Sequence, residues 1–254
     1  MSRSARCLAA SICWAFVFCA IICPTTRAED AENAKDAEKK ERGFYRPMKK
    51  EIEGWTIAVD PLLVCKENQE VGEKAFKALA NHLQRIEYIV PEDRLKQLKK
   101  LPIWIELNNT KLGAMQYHPD RGWLTNNGHD PRLEKHVHIP HAKALFQRGT
   151  WAKHPYVILH ELAHSYHDQV LGFGHEDVLK SYNEAKKQGI YKEVLLYTGR
   201  KVRHYGLSNH KEHFAEATEA YFGMNDFYPF VRAELREHDP LTFSVLEKVW
   251  GPVR

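Results

Sequence analysis

The sequence predicts an α+β domain in which a small mixed sheet is followed by a mostly helical half. Strand-like runs occur at 54–64 and 101–107, whereas the segments after residue 155 are mostly helical by their apolar spacing. Strands that cluster early and helices that cluster late favour α+β over an alternating α/β arrangement. About 200 residues follow the charged N-terminal region, enough for one domain with a substantial core. We therefore expect one domain over residues 51–254.

The first 28 residues have the features of a secretory signal peptide. Arg3 and Arg6 precede an apolar run over 8–23, and the small residue Ala28 is the predicted cleavage site. We therefore expect a secreted or periplasmic protein, with an uncleaved N-terminal anchor as the alternative. No later segment is long and apolar enough to span a bilayer, so no membrane contact is expected after cleavage.

The charge of the mature chain gives no reason to expect nucleic acid as a partner. Residues 1–28 contain three arginines and no acid, so their removal lowers the formal charge from +4 to +1. They also contain four of the five cysteines, and the remaining Cys65 is predicted to be a buried, unpaired thiol. Residues 29–50 are rich in charge and poor in large apolar residues, which predicts a flexible linker.

The first half of the domain is predicted to alternate between strand and helix. Residues 54–64 alternate and then run apolar, which indicates a strand. Residues 70–90 have apolar side chains at helical spacing and predict a helix, and 91–100 predict a shorter one. "LPIWIEL" at 101–107 predicts a second strand, and the turn-rich segment 115–128 predicts a loop.

A short alternating stretch, "HVHIPHA" at 136–142, is predicted to lie at the rim of the sheet. Its Pro140 cannot donate a backbone hydrogen bond, and proline in sheets is therefore tolerated mainly at edges. An edge strand can align an extended peptide by main-chain pairing.

The second half is predicted to consist mostly of helices. One helix begins near Pro155 and ends before Gly172, and "HEDVLKSYNEAKKQ" forms another that stops at Gly189. A hairpin around Thr198 and Gly199 follows. The last two predicted helices are 209–223 and 239–250.

The helix that begins near Pro155 contains an HExxH pattern, "VILHELAHSYHD". His160 and His164 are four residues apart, so both imidazoles lie on one face and can meet one cation. Glu161 is offset to one side, where a general base beside a metal-bound water belongs. The alternative is a helix with two ordinary histidines. A third ligand is needed to separate the two interpretations.

Three acids on the predicted helix 209–223 are candidates for that ligand. Glu212, Glu216 and Glu219 share one helix face, and helical geometry alone does not rank them. A row of acidic side chains on one helix face is often simply exposed to solvent and has no further role. Glu212 also stands three residues after Asn209, the spacing of a capping box.

The segment "YGLSNHKEHFAEA" resembles the gluzincin metallopeptidases, and specifically the zinc domain of anthrax toxin lethal factor and its relatives. In that family a glutamate follows the tyrosine by seven residues and is followed by "FFAEAF"; here Tyr205 and Glu212 have this spacing, and His213 replaces the first phenylalanine. The resemblance covers about 60 residues. It implies a zincin-like domain with Glu212 as the third zinc ligand. It also implies that Tyr205 faces the reaction centre and that Glu216 supports a ligand histidine by a hydrogen bond.

Further polar residues near the motif have less specific predictions. Asp168 is four residues after His164 and can orient its free ring nitrogen, although an acid at this position is equally often solvated. His167 is on the same face but is predicted either to contact a ligand without binding the metal or to be exposed. Three alternating histidines are predicted to border a cleft: His136, His138 and His141.

The function predicted on this basis is a secreted zinc metallopeptidase with one Zn²⁺ per chain and a peptide or protein substrate. Zinc held by His160, His164 and Glu212 activates a water, and Glu161 takes its proton. Tyr205 stabilises the developing oxyanion. The alternatives are a catalytically inactive zinc- or peptide-binding protein of the same fold, and a zinc hydrolase that acts on another substrate.

Overall fold

The computed structural model describes residues 43–253. The predicted signal peptide, residues 1–28, and most of the predicted linker, residues 29–50, lie outside the described residues. The described part is mixed α and β, with a small mixed sheet and a mostly helical second half, which confirms the α+β prediction. Within residues 43–253, no helix combines the length and the apolar character that crossing a membrane requires.

The main sheet has five short strands in the order β1-β2-β3-β5-β4. The two parallel pairs are β2 with β3 and β3 with β5, while β1 and β4 are antiparallel to their neighbours. The strand bounds are β1 Met48–Ile52, β2 Trp55–Val59, β3 Ile103–Ile105, β4 Gln116–Tyr117 and β5 Val137–Ile139.

Two predictions about this sheet are wrong. The stretch Val137–Ile139 is not at the rim: it is fully buried and pairs on both sides, and Pro140 follows the strand instead of interrupting it. The edge strand next to it is β4, inside the segment 115–128 that was predicted to be a loop. Strand β1 also includes Met48 to Lys50, which were assigned to the linker, because their backbone groups pair with β2.

One face of the sheet packs against a long helix, α1, Gln69–Ile89. Its fully buried residues include the apolar positions that predicted the helix: Ala75, Leu79, Leu83 and Ile86. Gly72 lies in the first turns of α1, where an added Cβ would be 2.0 Å from the carbonyl oxygen of Leu63. The chain therefore approaches α1 at a distance that only glycine permits at position 72.

The opposite face of the sheet carries a small core and a buried polar network. Trp104 packs with Leu124 and Leu133. His138 points to this face, where His118 Nε2 lies 3.1 Å from its Nδ1 and Glu106 Oε2 lies 3.3 Å from its Nε2. Buried polar groups need partners, and these contacts supply them between groups from neighbouring strands.

The helical half surrounds two nearly buried helices, α5 (Val157–Tyr166) and α7 (His210–Phe222). All ten residues of α5 are buried, as are residues 213–222 of α7. Tyr156, just before α5, contacts Gly223 at the end of α7 so closely that a Cβ on Gly223 would lie 2.1 Å from the ring. The absence of a side chain at 223 thus sets how closely the two helices approach.

The remaining elements follow the predicted order, with three short helices that the apolar spacing did not indicate (α3, α4 and α8). Gly189 and Gly199 have positive φ angles, as expected for a helix end and a hairpin turn. The bounds are α2 Glu92–Leu98, α3 Arg121–Asn126, α4 Arg148–Lys153, α5 Val157–Tyr166, α6 Glu176–Gln188, β6 Val194–Leu195, β7 Lys201–Val202, α7 His210–Phe222, α8 Arg232–His238 and α9 Pro240–Trp250.

Candidate metal centre

Helix α5 presents both histidines of the HExxH pattern on the face toward α7. The helix begins after Tyr156, whose carbonyl accepts from the backbone N–H of His160 at 3.0 Å. His160 and His164 are one turn apart, and the distance between their Nε2 atoms is 3.1 Å. Both side chains are nearly buried, and this burial restricts their movement.

Helix α7 brings Glu212 to the same point from its first turn. The side chain of Asn209 caps this helix by accepting from the backbone N–H groups of Lys211 and Glu212 at 2.9 and 3.0 Å. Glu212 Oε2 lies 3.3 Å from His160 Nε2 and 3.2 Å from His164 Nε2. Two imidazoles and one carboxylate therefore converge on a common point, and these three residues could hold a metal ion.

The charges at this point are strongly coupled. Burial opposes ionisation of Glu212, but hydrogen bonds with His160 and His164 outweigh it and hold the pKa of Glu212 below its ordinary value. Burial also opposes a charge on His160, but hydrogen bonds to Glu212 and Glu219 raise its pKa well above the ordinary value. A cation at the three ligand atoms would replace these shared protons.

Glu161 lies beside the three ligand atoms and is not one of them. Its side chain is nearly buried and lines the same cleft as His160 and His164. Burial raises the pKa of Glu161 above its ordinary value, which makes this carboxylate a better proton acceptor than an exposed one.

The ring nitrogen of His160 that points away from Glu212 contacts Glu219. His160 Nδ1 lies 2.7 Å from Glu219 Oε1, and His154 Nε2 lies 2.8 Å from the same oxygen. The residue predicted to support a ligand, Glu216, is farther away, with its Oε1 at 3.9 Å from His160 Nδ1. Glu219, and not Glu216, is therefore the carboxylate within hydrogen-bond distance of His160 Nδ1. Glu219 is seven residues, or two turns, from Glu212 and so points in nearly the same direction.

Glu216 is nearly buried, also lines the cleft, and has a different electrostatic character. Burial, together with the nearby charges of Glu219 and Asp226, raises the pKa of Glu216 to about 8. Its Oε2 has no hydrogen-bond partner among the described residues. A carboxylic acid in this environment is protonated at neutral pH.

Asp168 does not orient His164 as predicted. Its Oδ2 accepts from the Tyr117 hydroxyl and from Lys135 Nζ, both at 2.6 Å. The chain changes from α-helical to π-helical winding at His167–Leu171, and Asp168 lies in this segment. Asp168 instead ties the end of α5 to the edge strand β4.

The four other histidines named in the sequence predictions do not line the cleft. His138 is buried within the sheet network and His136 lies on the same face, in edge contact with Trp104, while His141 bonds to Asn108. His167 is fully buried, in ring contact with Phe173 and Phe214, and neither of its ring nitrogens has a hydrogen-bond partner within residues 43–253.

A cleft of about 690 Å³ opens onto the three ligand atoms. Tyr205, half exposed on the short helical turn before α7, lines one part of it. Residues Ala114 to Tyr117, which include the edge strand β4, line another part. His154 also lines the cleft, and no sequence signal indicated it, because its neighbours match no motif.

Comparisons with known proteins add a structural neighbour but no family. The sequence matches no protein-family model and no curated protein. The structure is similar to that of the Pro-Pro endopeptidase PPEP-2 from Paenibacillus alvei, with 18% sequence identity and a TM-score of 0.41 over 76% of this chain and 95% of that chain. A similarity at this level establishes neither a shared activity nor the resemblance to the lethal factor zinc domain. The chemistry of the site therefore follows from its own geometry.

Proposed function

We propose that this protein is a zinc-dependent peptidase of the gluzincin type, with a zincin-like domain. One observation carries the proposal: the ligand atoms of His160, His164 and Glu212 are 3.1 to 3.3 Å apart. Atoms held tetrahedrally at 2.0–2.1 Å from a zinc ion lie about 3.3 Å from one another. The three donors thus have the separations of three corners of a zinc tetrahedron.

The donor set also fits a catalytic ion better than a structural one. Structural zinc sites use four protein ligands, most of them cysteines, whereas catalytic sites use three and leave one position open. The three ligand residues line the cleft, so the fourth position faces the space where a substrate would bind. Zinc bound there would supply a Lewis acid and a water of lowered pKa.

Glu161 is the residue that moves protons in this proposal. During hydrolysis, a carbon–oxygen bond forms from water and the carbon–nitrogen bond of the peptide breaks. Glu161 accepts a proton from the attacking water and delivers it to the leaving amine nitrogen. Its position in the cleft and its raised pKa support both steps.

Two other parts of the cleft have roles in binding the substrate. Tyr205 has a half-exposed phenol in the cleft, which can donate a hydrogen bond to the oxyanion that develops on the carbonyl. The edge strand β4 can pair with the main chain of an extended peptide, since its other side is occupied by β5. The tie from Asp168 to Tyr117 holds this strand in place.

Replacing Glu161 by glutamine tests the proposal against an inactive zinc- or peptide-binding protein. Purified wild type is expected to contain one zinc per chain and to cleave members of a diverse peptide library. Glu161→Gln should keep the zinc, because Glu161 is not a ligand, and should lose turnover. A chelator should abolish wild-type cleavage, and added zinc should restore it.

Three other results of this experiment would contradict the proposal. Zinc-loaded wild type that binds peptides but cleaves none would identify an inactive binding protein. Cleavage at equal rates by wild type and Glu161→Gln would show that another residue performs the proton transfer. Wild type without zinc affinity would refute the metal site.

We also propose that the protein is exported to a secreted or periplasmic location, with cleavage after Ala28. The support is the sequence of residues 1–28, with two arginines before an apolar run. N-terminal sequencing of the exported protein should begin at Glu29. A chain that retains Met1 would instead identify an N-terminal anchor.

A further inference from the structure

Glu219 is a buried carboxylate that contacts two histidines. It lies on α7 with no exposed surface, and its Oε1 is within hydrogen-bond distance of His160 Nδ1 and His154 Nε2. A carboxylate oxygen only accepts, so both rings must donate to it. A buried charge with two such donors is stabilised, whereas a single donor would leave it poorly compensated.

The hydrogen bond from His160 determines which of its nitrogens is free to bind a cation. A neutral imidazole has one N–H and one lone pair. When Nδ1 carries the proton that Glu219 accepts, the lone pair is on Nε2, which faces His164 and Glu212. Glu219 thus selects the tautomer that the proposed zinc site requires and fixes the plane of the ring.

His154 reaches the same oxygen from the turn that precedes α5. Its carbonyl accepts from the backbone N–H of Val157 at 3.2 Å, so its position is coupled to the first turn of that helix. Its ring meets that of His160 edge-on, with centroids 5.4 Å apart. Because His154 also lines the cleft, it lies between the buried carboxylate and the solvent-accessible space.

We propose that Glu219 and His154 form a positioning pair for His160, in which Glu219 fixes its tautomer and His154 holds Glu219 in place. This inference rests on the proposed function, since it concerns the affinity of the proposed zinc site. Glu216 is the obvious competitor because it also faces His160. Its distance of 3.9 Å from Nδ1 is beyond a hydrogen bond, so it cannot select the tautomer.

Zinc affinity measured by competition with a chromophoric chelator tests the pair without using activity. Glu219→Ala should bind zinc about 10 to 100-fold more weakly than wild type, the usual effect of losing a partner behind a ligand histidine. Glu219→Gln keeps an acceptor oxygen at nearly the same place and should recover most of this loss. His154→Ala should weaken binding by about 10-fold or less, and His154→Gln, which retains a donor, should recover it.

The comparison variant is Glu216→Gln, which changes the neighbouring buried acid on the same helix. Its zinc affinity should remain close to that of wild type. In ¹⁵N-labelled protein, the ring N–H signals of His160 and His154 should both shift in Glu219→Gln and stay unchanged in Glu216→Gln. A purely structural role for Glu219 would not move the two signals together. This measurement also serves if Glu219→Ala does not fold.

The outcomes separate this inference from the proposed function. If Glu219→Ala and His154→Ala both bind zinc as tightly as wild type does, the positioning pair is overturned and the peptidase proposal stays intact. A large loss in Glu216→Gln beside an unaffected Glu219→Ala would also overturn it and would favour Glu216 as the supporting residue. Wild type that binds no zinc would refute both proposals.

Discussion

Glu212 and His164 meet across two helices although 48 residues separate them in the chain, with Glu212 Oε2 at 3.2 Å from His164 Nε2. The contact depends on a cap as well as on the helices themselves. Asn209 fixes the first turn of α7, and α5 supplies a buried, rigid histidine. A carboxylate in a capped first turn has little freedom to move away from an ion.

We expect Glu212→Ala to lose most of its zinc, because two imidazoles alone leave the proposed ion with only two protein ligands. Glu247→Ala, a substitution on α9 away from the cleft, is the control and should retain the wild-type content. Metal analysis of the purified, dialysed proteins provides the measurement. A zinc-replete Glu212→Ala would mean that another acid is the third ligand.

We expect Tyr205→Phe to reduce kcat while zinc content stays the same. The substitution removes one hydroxyl from a half-exposed ring, so it should leave the fold and the ligands unchanged. Loss of one oxyanion donor costs about 10²–10³ in kcat in other hydrolases. Steady-state kinetics on a cleaved library peptide would measure the effect, and an unchanged kcat would limit Tyr205 to packing.

We expect Gly72→Ala to destabilise the fold although alanine is the better helix former. The new Cβ would lie 2.0 Å from the backbone oxygen of Leu63, and a backbone group cannot move aside as a side chain can. Overpacking of this kind costs about 1–3 kcal/mol. Gly149→Ala, in helix α4 with nothing within 4 Å of the new Cβ, should be neutral or stabilising by up to about 1 kcal/mol. Urea denaturation of both variants compares them, and equal midpoints would contradict the close approach.

We expect His167→Leu to reduce the loss of stability at acidic pH. Burial and the neighbouring His210 lower the pKa of His167 to about 3, whereas an unfolded histidine titrates near 6.5. The unfolded state therefore binds the proton first, and stability falls as the pH drops from about 6.5 toward 3, by up to about 1.4 kcal/mol per pH unit. Leucine cannot take up this proton. Urea midpoints of chelator-treated protein between pH 7 and pH 4 should decline less steeply in His167→Leu, and parallel declines would show that His167 is accessible to protons in the folded state.

The sequence predicted those parts of the fold that depend on local periodicity. Helix α1 has its buried residues at the positions that its apolar spacing indicated, and the hairpin turn has Gly199 at a positive φ. The edge strand β4 was missed because two residues are too few to show alternation. Strand β5 was misplaced because Pro140 restricts only its own backbone, and it follows the strand.

The candidate site was partly predictable for a similar reason. The spacing of His160 and His164 on one helix is a local property, and the structure brings both to Glu212. Whether Glu216 or Glu219 supports His160 depends on how α5 and α7 cross, which the periodicity of α7 alone does not contain. His154 had no local signal, since only the turn before α5 brings it to Glu219.

The placement of the ligands on α5 and α7 also makes a bound ion a cross-link between distant parts of the chain. Its ligands come together only in the native state, so zinc would favour that state by about 2.7 kcal/mol at a free concentration one hundred times its Kd. Residues 43–253 contain one cysteine, Cys65, and hence no internal disulfide. The ion would join His164 and Glu212, which are 48 residues apart in the chain, but only after folding has brought them together.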